Sequence, residues 1–181
     1  MKIGVFGGTF DPFTKAHREI VDESLKIVDK IVIVPTTISY YRDGKSPLFS
    51  FEQRCEIIEA AIDTYWDWER VSISELEKDK DSFWRTADTI RCLKKDYPSD
   101  ELYFILGSDS FDSIDTWRDS DYLKENLKFI VVDGRDGVKS TNNFPHETIT
   151  IHLSDTSASD IRKSLVSFLV KHYIEWVVLN D

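Results

Sequence analysis

The residues able to do chemistry in this chain begin at Gly7-Gly8-Thr9-Phe10-Asp11-Pro12, directly after a short apolar run, Lys2–Phe6. Phe13-Thr14-Lys15-Ala16-His17 follows and opens a segment of helical periodicity. Adjacent glycines let a bulky anion approach the backbone with no Cβ in the way. A helix starting at Thr14 aims its unpaired N–H groups and positive dipole end at the same place. Thr14 and His17 stand one helical turn apart, on a face where both can reach a phosphate. The pattern describes a nucleotide-phosphate site on a strand–turn–helix unit. A plain turn, with Asp11 and Thr14 as helix caps and His17 on the surface, accounts for the same residues.

Three further clusters carry chemistry. In Ile105-Leu106-Gly107-Ser108-Asp109-Ser110-Phe111, Asp109 falls just past the end of an apolar run, with Trp117-Arg118 close behind. A carboxylate at a strand's C-terminal end can accept from ribose hydroxyls or hold a metal-bound water, and an indole offers a face to a heteroaromatic ring. A helix cap at Asp109 and a core anchor at Trp117 are the structural alternative. Thr156-Ser157-Ala158-Ser159-Asp160-Ile161-Arg162 reads as a helix N-terminus whose hydroxyls suit a polyphosphate, with Arg162 one turn in as a fixed cation. Phe83-Trp84-Arg85-Thr86 precedes another helical stretch.

These clusters need elements to hold them. Strand-like runs occur at Lys2–Phe6, Lys30–Val34, Arg70–Ser74, Glu101–Leu106, Lys128–Val132 and Thr148–His152. Helical patterns occupy Thr14–Val28, Phe51–Thr64, Thr86–Tyr97, a shorter piece within Ser110–Asn126, and Ser157–Leu169, with a last helix over His172–Val178. In the first helix Ala16, Ile20, Val21, Leu25 and Val28 form one apolar stripe. Near-continuous Ile/Val strands joined by helices predict a doubly wound, Rossmann-like α/β fold: a parallel sheet covered on both faces, with ligands at the carboxyl ends of its strands. Two stretches exceed ordinary connections, Pro35–Ser50 and Asp133–Glu147. Each reads as a ligand cover, the second equally as a disordered excursion.

Size and composition bound the reading. The 181 residues suit one domain, residues 1–181, with a C-terminal helical part over about 157–181. At 41% hydrophobic and 13% aromatic residues the chain can bury a core. No apolar run approaches the roughly 20 residues that span a bilayer, and no basic-then-apolar leader is present. Cys55 and Cys92 lack metal spacing and read as reduced packing residues of a cytoplasmic protein. A net charge of −10 argues against a nucleic-acid partner while leaving small anions open to a locally positive site.

The first cluster resembles the (H/T)xGH nucleotidylyltransferase superfamily, whose first strand ends in GGTFDPxHxGH or GTFDPxTxGH. Thr14 stands where the first His is usual, Ala16 in place of the glycine, and His17 at the second His. Gly107-Ser108-Asp109 with Trp117 resembles the nicotinate/nicotinamide mononucleotide adenylyltransferase branch, and Ser157–Arg162 the superfamily's ISxTxIR signature. Phe49-Ser50-Phe51-Glu52-Gln53-Arg54 matches the SFEHRL of bacterial nicotinate enzymes, whereas Ser39-Tyr40-Tyr41-Arg42 replaces their PPHK.

The resemblance implies adenylyl transfer from ATP to nicotinate or nicotinamide mononucleotide, with Mg2+ carried on the ATP phosphates. His17, Thr14 and Arg162 would serve the transfer. Gly7, Gly8, Thr9 and Phe10 would bind ATP, together with Ser157, Ser159, Gly107 and Asp109. Thr86, Arg85, Trp117 and Asp109 would bind the pyridine nucleotide, with Lys45 or Arg42 supplying the cation missing from the PPHK position. The superfamily often self-associates. A phosphopantetheine adenylyltransferase, a cytidylyltransferase and a non-catalytic nucleotide sensor are the competing readings.

Overall fold

The apolar runs join into one sheet in the computed structural model, which describes residues 1–37, 47–80, 84–133, 139–152 and 160–167. The strands are β1 (Lys2–Gly8), β2 (Lys30–Pro35), β3 (Val71–Ile73), β4 (Glu101–Gly107), β5 (Lys128–Val132) and β6 (Glu147–Ile149). All pair in parallel, in the order β3-β2-β1-β4-β5-β6. The order reverses direction between β1 and β4, and a doubly wound sheet opens a crevice at that place.

Five helices cover the sheet: α1 (Lys15–Ser24), α2 (Phe51–Tyr65), α3 (Thr86–Asp96), α4 (Ser108–Asp112) and α5 (Ser120–Asn126); residues 160–167 are helical as well. Successive strand residues point to opposite faces, and the core divides accordingly. Ile3, Val5, Phe104, Leu106, Phe129 and Val131 pack with Ala87 and Ile90 of α3, Phe111 of α4 and Leu123 of α5. Phe6, Ile31, Ile33, Ile105 and Ile130 pack with Val21 of α1 and with Ile58 and Ile62 of α2. The expected doubly wound α/β fold is the observed one. No helix among the described residues is long and apolar enough to cross a membrane.

The differences from expectation lie at element ends. Helix α1 stops at Ser24, four residues short of Val28, because the amides of Lys26 and Ile27 turn to the Glu23 and Ser24 carbonyls three residues back. Asp29 N then bonds the Lys2 carbonyl and leads straight into β2. Strand β6 is Glu147–Ile149 and not Thr148–His152, since it pairs with Ile130–Val132 and β5 ends there. The piece expected within Ser110–Asn126 is α4, a 3-10 turn at Ile114–Thr116, and α5, separated at Trp117-Arg118. The final helix, Arg42, Lys45, Ser157 and Ser159 lie outside the described residues.

The long segment before β6 is packed in its described part. The Asp112 carboxylate accepts from Ser140 Oγ at 2.5 Å, Thr141 N at 2.8 Å and Asn142 N at 3.1 Å. Phe144 sits edge-on to Phe129 at 5.8 Å. Residues 139–147 therefore belong to the folded body.

Helix α2 begins with a reciprocal cap. Gln53 N donates to Ser50 Oγ at 3.2 Å, and Ser50 N donates to Gln53 Oε1 at 3.0 Å. Ser50→Ala removes one half of that pair and should lower the urea-unfolding free energy by about 1 kcal/mol. A loss below a few tenths would show that the cap contributes nothing.

Candidate active site

A cleft of about 680 Å³ opens at the carboxyl ends of β1 and β4. Gly7, Gly8 and Thr9 line one wall, Gly107 and Asp109 the other, and Thr86 and Trp117 complete it. These seven expected site residues, drawn from four separate stretches of sequence, therefore meet in one space. Thr36 at the end of β2 and Ser110 in α4 also line it, and sequence reading did not single them out.

Gly107 is required by the position of its neighbour. A Cβ on Gly107 would stand 2.8 Å from Asp109 Oδ1, closer than such atoms approach. The glycine thus lets the carboxylate fold back over the strand end. Trp117 is held from two sides: its Nε1 donates to Ser113 Oγ at 3.3 Å, and its ring meets Phe104 edge-on at 6.2 Å. Arg118 pairs with Asp88, whose carboxylate also accepts from Arg85 N at 2.9 Å. Asp88 therefore links the chain beside Trp117 to the start of α3, where Thr86 lies. The guanidinium of Arg85 donates to the Trp84 carbonyl at 2.8 Å, and Arg85 is not among the cleft-lining residues.

Thr14, His17 and Arg162 collect at the far end of the β1–α1 turn, around Phe10 and Asp11. Thr14 N donates to His17 Nδ1 at 2.9 Å, and Thr14 Oγ1 lies 3.0 Å from the same nitrogen. An amide can only donate, so Nδ1 is the acceptor and the proton of the neutral ring sits on Nε2. Phe10, Phe13 and Phe6 surround the imidazole at 5.2, 5.3 and 6.1 Å. Burial among these rings lowers its pKa to about 4. His17 is accordingly a neutral hydrogen-bond donor at pH 7, and the surface placement that sequence allowed is not the observed one.

Phe10 was expected to touch ATP, but its side chain is buried under the turn, edge-on to Phe6 at 5.1 Å. Its φ of 49° places it in the left-handed region, uncommon for an aromatic residue. The ring packing offsets a conformational cost of about 1–2 kcal/mol. Any contact of Phe10 with a phosphate would be through its main chain.

Two buried charges brace the turn. Arg54, 1% exposed, donates from Nη1 to the Thr9 carbonyl at 2.5 Å and the Thr36 carbonyl at 3.0 Å. Asp11, 2% exposed, accepts from Leu48 N at 2.9 Å and Phe49 N at 3.0 Å. A cap on α1 was the sequence alternative for Asp11; its carboxylate instead serves amides far along the chain. Arg162 Nη1 donates to the Asp11 carbonyl at 2.5 Å and lies 3.7 Å from its carboxylate.

Since unfolded histidine titrates near 6.5 and folded His17 near 4, the unfolded chain binds the extra proton between those values. His17 thus contributes stability above about pH 6.5 that is lost as pH falls toward 4. NMR titration should find one histidine with a pKa near 4, assigned by its absence in His17→Gln. A normal value for that signal would remove the neutral-donor assignment.

Comparison with known proteins identifies the family. The cytidylyltransferase-like family model matches residues 5–164. A probable nicotinate-nucleotide adenylyltransferase of Aliarcobacter butzleri is 30% identical over 184 residues, spanning 99% of this chain and 96% of its own length. One from Acholeplasma laidlawii is 37% identical over 169 residues, spanning 89% of this chain and 85% of its own. The Plasmodium falciparum nicotinic acid mononucleotide adenylyltransferase complexed with NaAD is similar at TM-score 0.72 and 25% identity, over 90% of this chain and 82% of that one.

Proposed function

Because the chain belongs to the cytidylyltransferase-like family, and within it to the nicotinate-nucleotide adenylyltransferases, we propose that it transfers the adenylyl group of ATP to nicotinate mononucleotide, releasing pyrophosphate in NAD biosynthesis. The observation that carries this reading is the convergence of the Gly7–Thr9 turn, Asp109, Thr86 and Trp117 on one cleft at the β1/β4 reversal.

In the proposed reaction an oxygen of the acceptor's 5′-phosphate attacks the α-phosphorus of ATP. The new P–O bond forms as the bond to the bridging oxygen breaks, and the electron pair leaves with pyrophosphate. The nucleophile is already an anion, so no protein base is needed, and catalysis consists of positioning and charge stabilisation. His17 Nε2–H donates to the α-phosphate as charge builds there. Thr14, which cannot be cationic, fixes the imidazole through Nδ1 and presents that donor. Arg162, with Ser157 and Ser159, holds the leaving pyrophosphate. Mg2+ carried on the ATP phosphates would neutralise part of their charge, and Asp109 would be suited to hold one of its waters.

Trp117 stacks on the pyridine ring, and the N-terminus of α3 at Thr86 receives the nicotinate carboxylate, which the helix dipole favours over an uncharged carboxamide. Arg85 would add positive potential beside it, and Lys45 or Arg42 would supply the cation missing from the PPHK position. The same reading treats residues 1–181 as one domain in a cytoplasmic protein capable of self-association. Thr14 favours a second acceptor, phosphopantetheine, because that branch shares a threonine at this place.

Pyrophosphate release with ATP and Mg2+ should favour nicotinate mononucleotide over nicotinamide mononucleotide and phosphopantetheine by about tenfold or more in kcat/KM. Turnover with phosphopantetheine alone would transfer the assignment to that branch, and binding without turnover would mark a sensor. His17→Ala should reduce kcat about 100- to 1000-fold with an unchanged near-UV spectrum. Near-normal turnover would refute the role given to His17.

A further inference from the structure

Asp11 is a buried carboxylate whose partners all come from elsewhere in the chain. Its carboxylate receives the amides of Leu48 and Phe49, which lie 37 and 38 residues away, and stands 3.7 Å from the guanidinium of Arg162, 151 residues away, whose hydrogen bond goes to the Asp11 main-chain carbonyl. A carboxylate out of water is stable only when its oxygens are matched by donors or charge, and here each oxygen has its own main-chain donor. The cap of α1 is provided separately, by Thr14 and the Nδ1 of His17. Asp11 is therefore not needed to start the helix beside it.

We propose that Asp11 is a positioning residue for the polyphosphate site, holding both Arg162 and the chain that enters α2 against the β1–α1 turn. The proposal rests on the reading of Arg162 as a ligand of the ATP phosphates and adds what places that guanidinium. Arg162 reaches Asp11 twice, through the carbonyl at 2.5 Å and the carboxylate at 3.7 Å. It comes from the helical residues 160–167, far from the turn in sequence. Both contacts tie that guanidinium to the β1–α1 turn. The same carboxylate draws in Leu48 and Phe49, immediately before the Ser50 cap of α2. One side chain thus meets two distant segments at the β1–α1 turn, the chain that enters α2 and the guanidinium of Arg162.

Asn at this position has the shape but only one accepting oxygen, so its NH2 group would face a main-chain N–H. It also removes the charge that meets Arg162. Calorimetric binding of ATP and of AMP separates a positioning role from a merely structural one, because AMP lacks the β- and γ-phosphates. Asp11→Asn should weaken ATP binding about tenfold and leave AMP binding unchanged. In an Arg162→Ala background the same substitution should add less than about twofold. Equal weakening of ATP and AMP, or full multiplication of the two losses, would overturn the proposal. So would unchanged ATP affinity in a wild-type protein that binds ATP well. A wild type that binds neither nucleotide would instead defeat the nucleotidyl-transfer reading, and this one with it. Should Asp11→Asn fail to fold by near-UV spectrum, Asp11→Glu retains the charge with one more methylene. It must then show the same selective loss of ATP affinity, and equal affinity for both nucleotides relative to wild type would overturn the proposal.

Discussion

The parallel pairing of β1 with both β2 and β4 is the constraint on which the rest depends. Val5 lies beside Val32 on one side and Phe104 on the other, so β1 is the spine of the sheet. The chain must leave β1 toward one face and β4 toward the other, with α1 and α4 diverging above the strand ends. That divergence creates the crevice, and the residues at the two strand ends form its opposing walls. Gly7 and Gly107 occupy those ends. The position of the site is thus a result of topology before any side chain is considered.

Charge is handled locally in a chain that carries −10 overall. The turn has a buried guanidinium, Arg54, beneath its Thr9 carbonyl and a half-buried one, Arg162, at Asp11. The histidine that would be the obvious cation is kept neutral by its phenylalanine cage. In the proposed transfer, anion recognition would draw on guanidinium charge and main-chain N–H groups, while His17 would supply a directed hydrogen bond. A transfer whose nucleophile is already ionised needs that division of labour.

Much of this was legible in the sequence. Lys2–Phe6 and Glu101–Leu106 are apolar runs that end in glycine, and their β-branched and aromatic content leaves few other structures open to them. The periodicity of Phe51–Thr64 identified α2 to within a residue. Element ends that depend on a partner were not legible: β6 is as long as the stretch of β5 available to pair with it. Asp11 illustrates the same limit. A carboxylate before a helix can cap that helix or serve distant amides with equal chemistry, and only the tertiary fold brings Leu48 and Phe49 to it. The signature around Phe10 points to a ligand contact, which its main chain alone is placed to make. Nothing in its local pattern reveals that the ring turns inward to cage His17.

Arg54 has a consequence for turnover. By bonding the carbonyls of Thr9 and Thr36 with a single nitrogen, it joins the outlets of β1 and β2. A loop that had to be ordered by its substrate would surrender part of the interaction free energy at each encounter. Here the conformational entropy of the turn is lost during folding, once in the lifetime of the molecule.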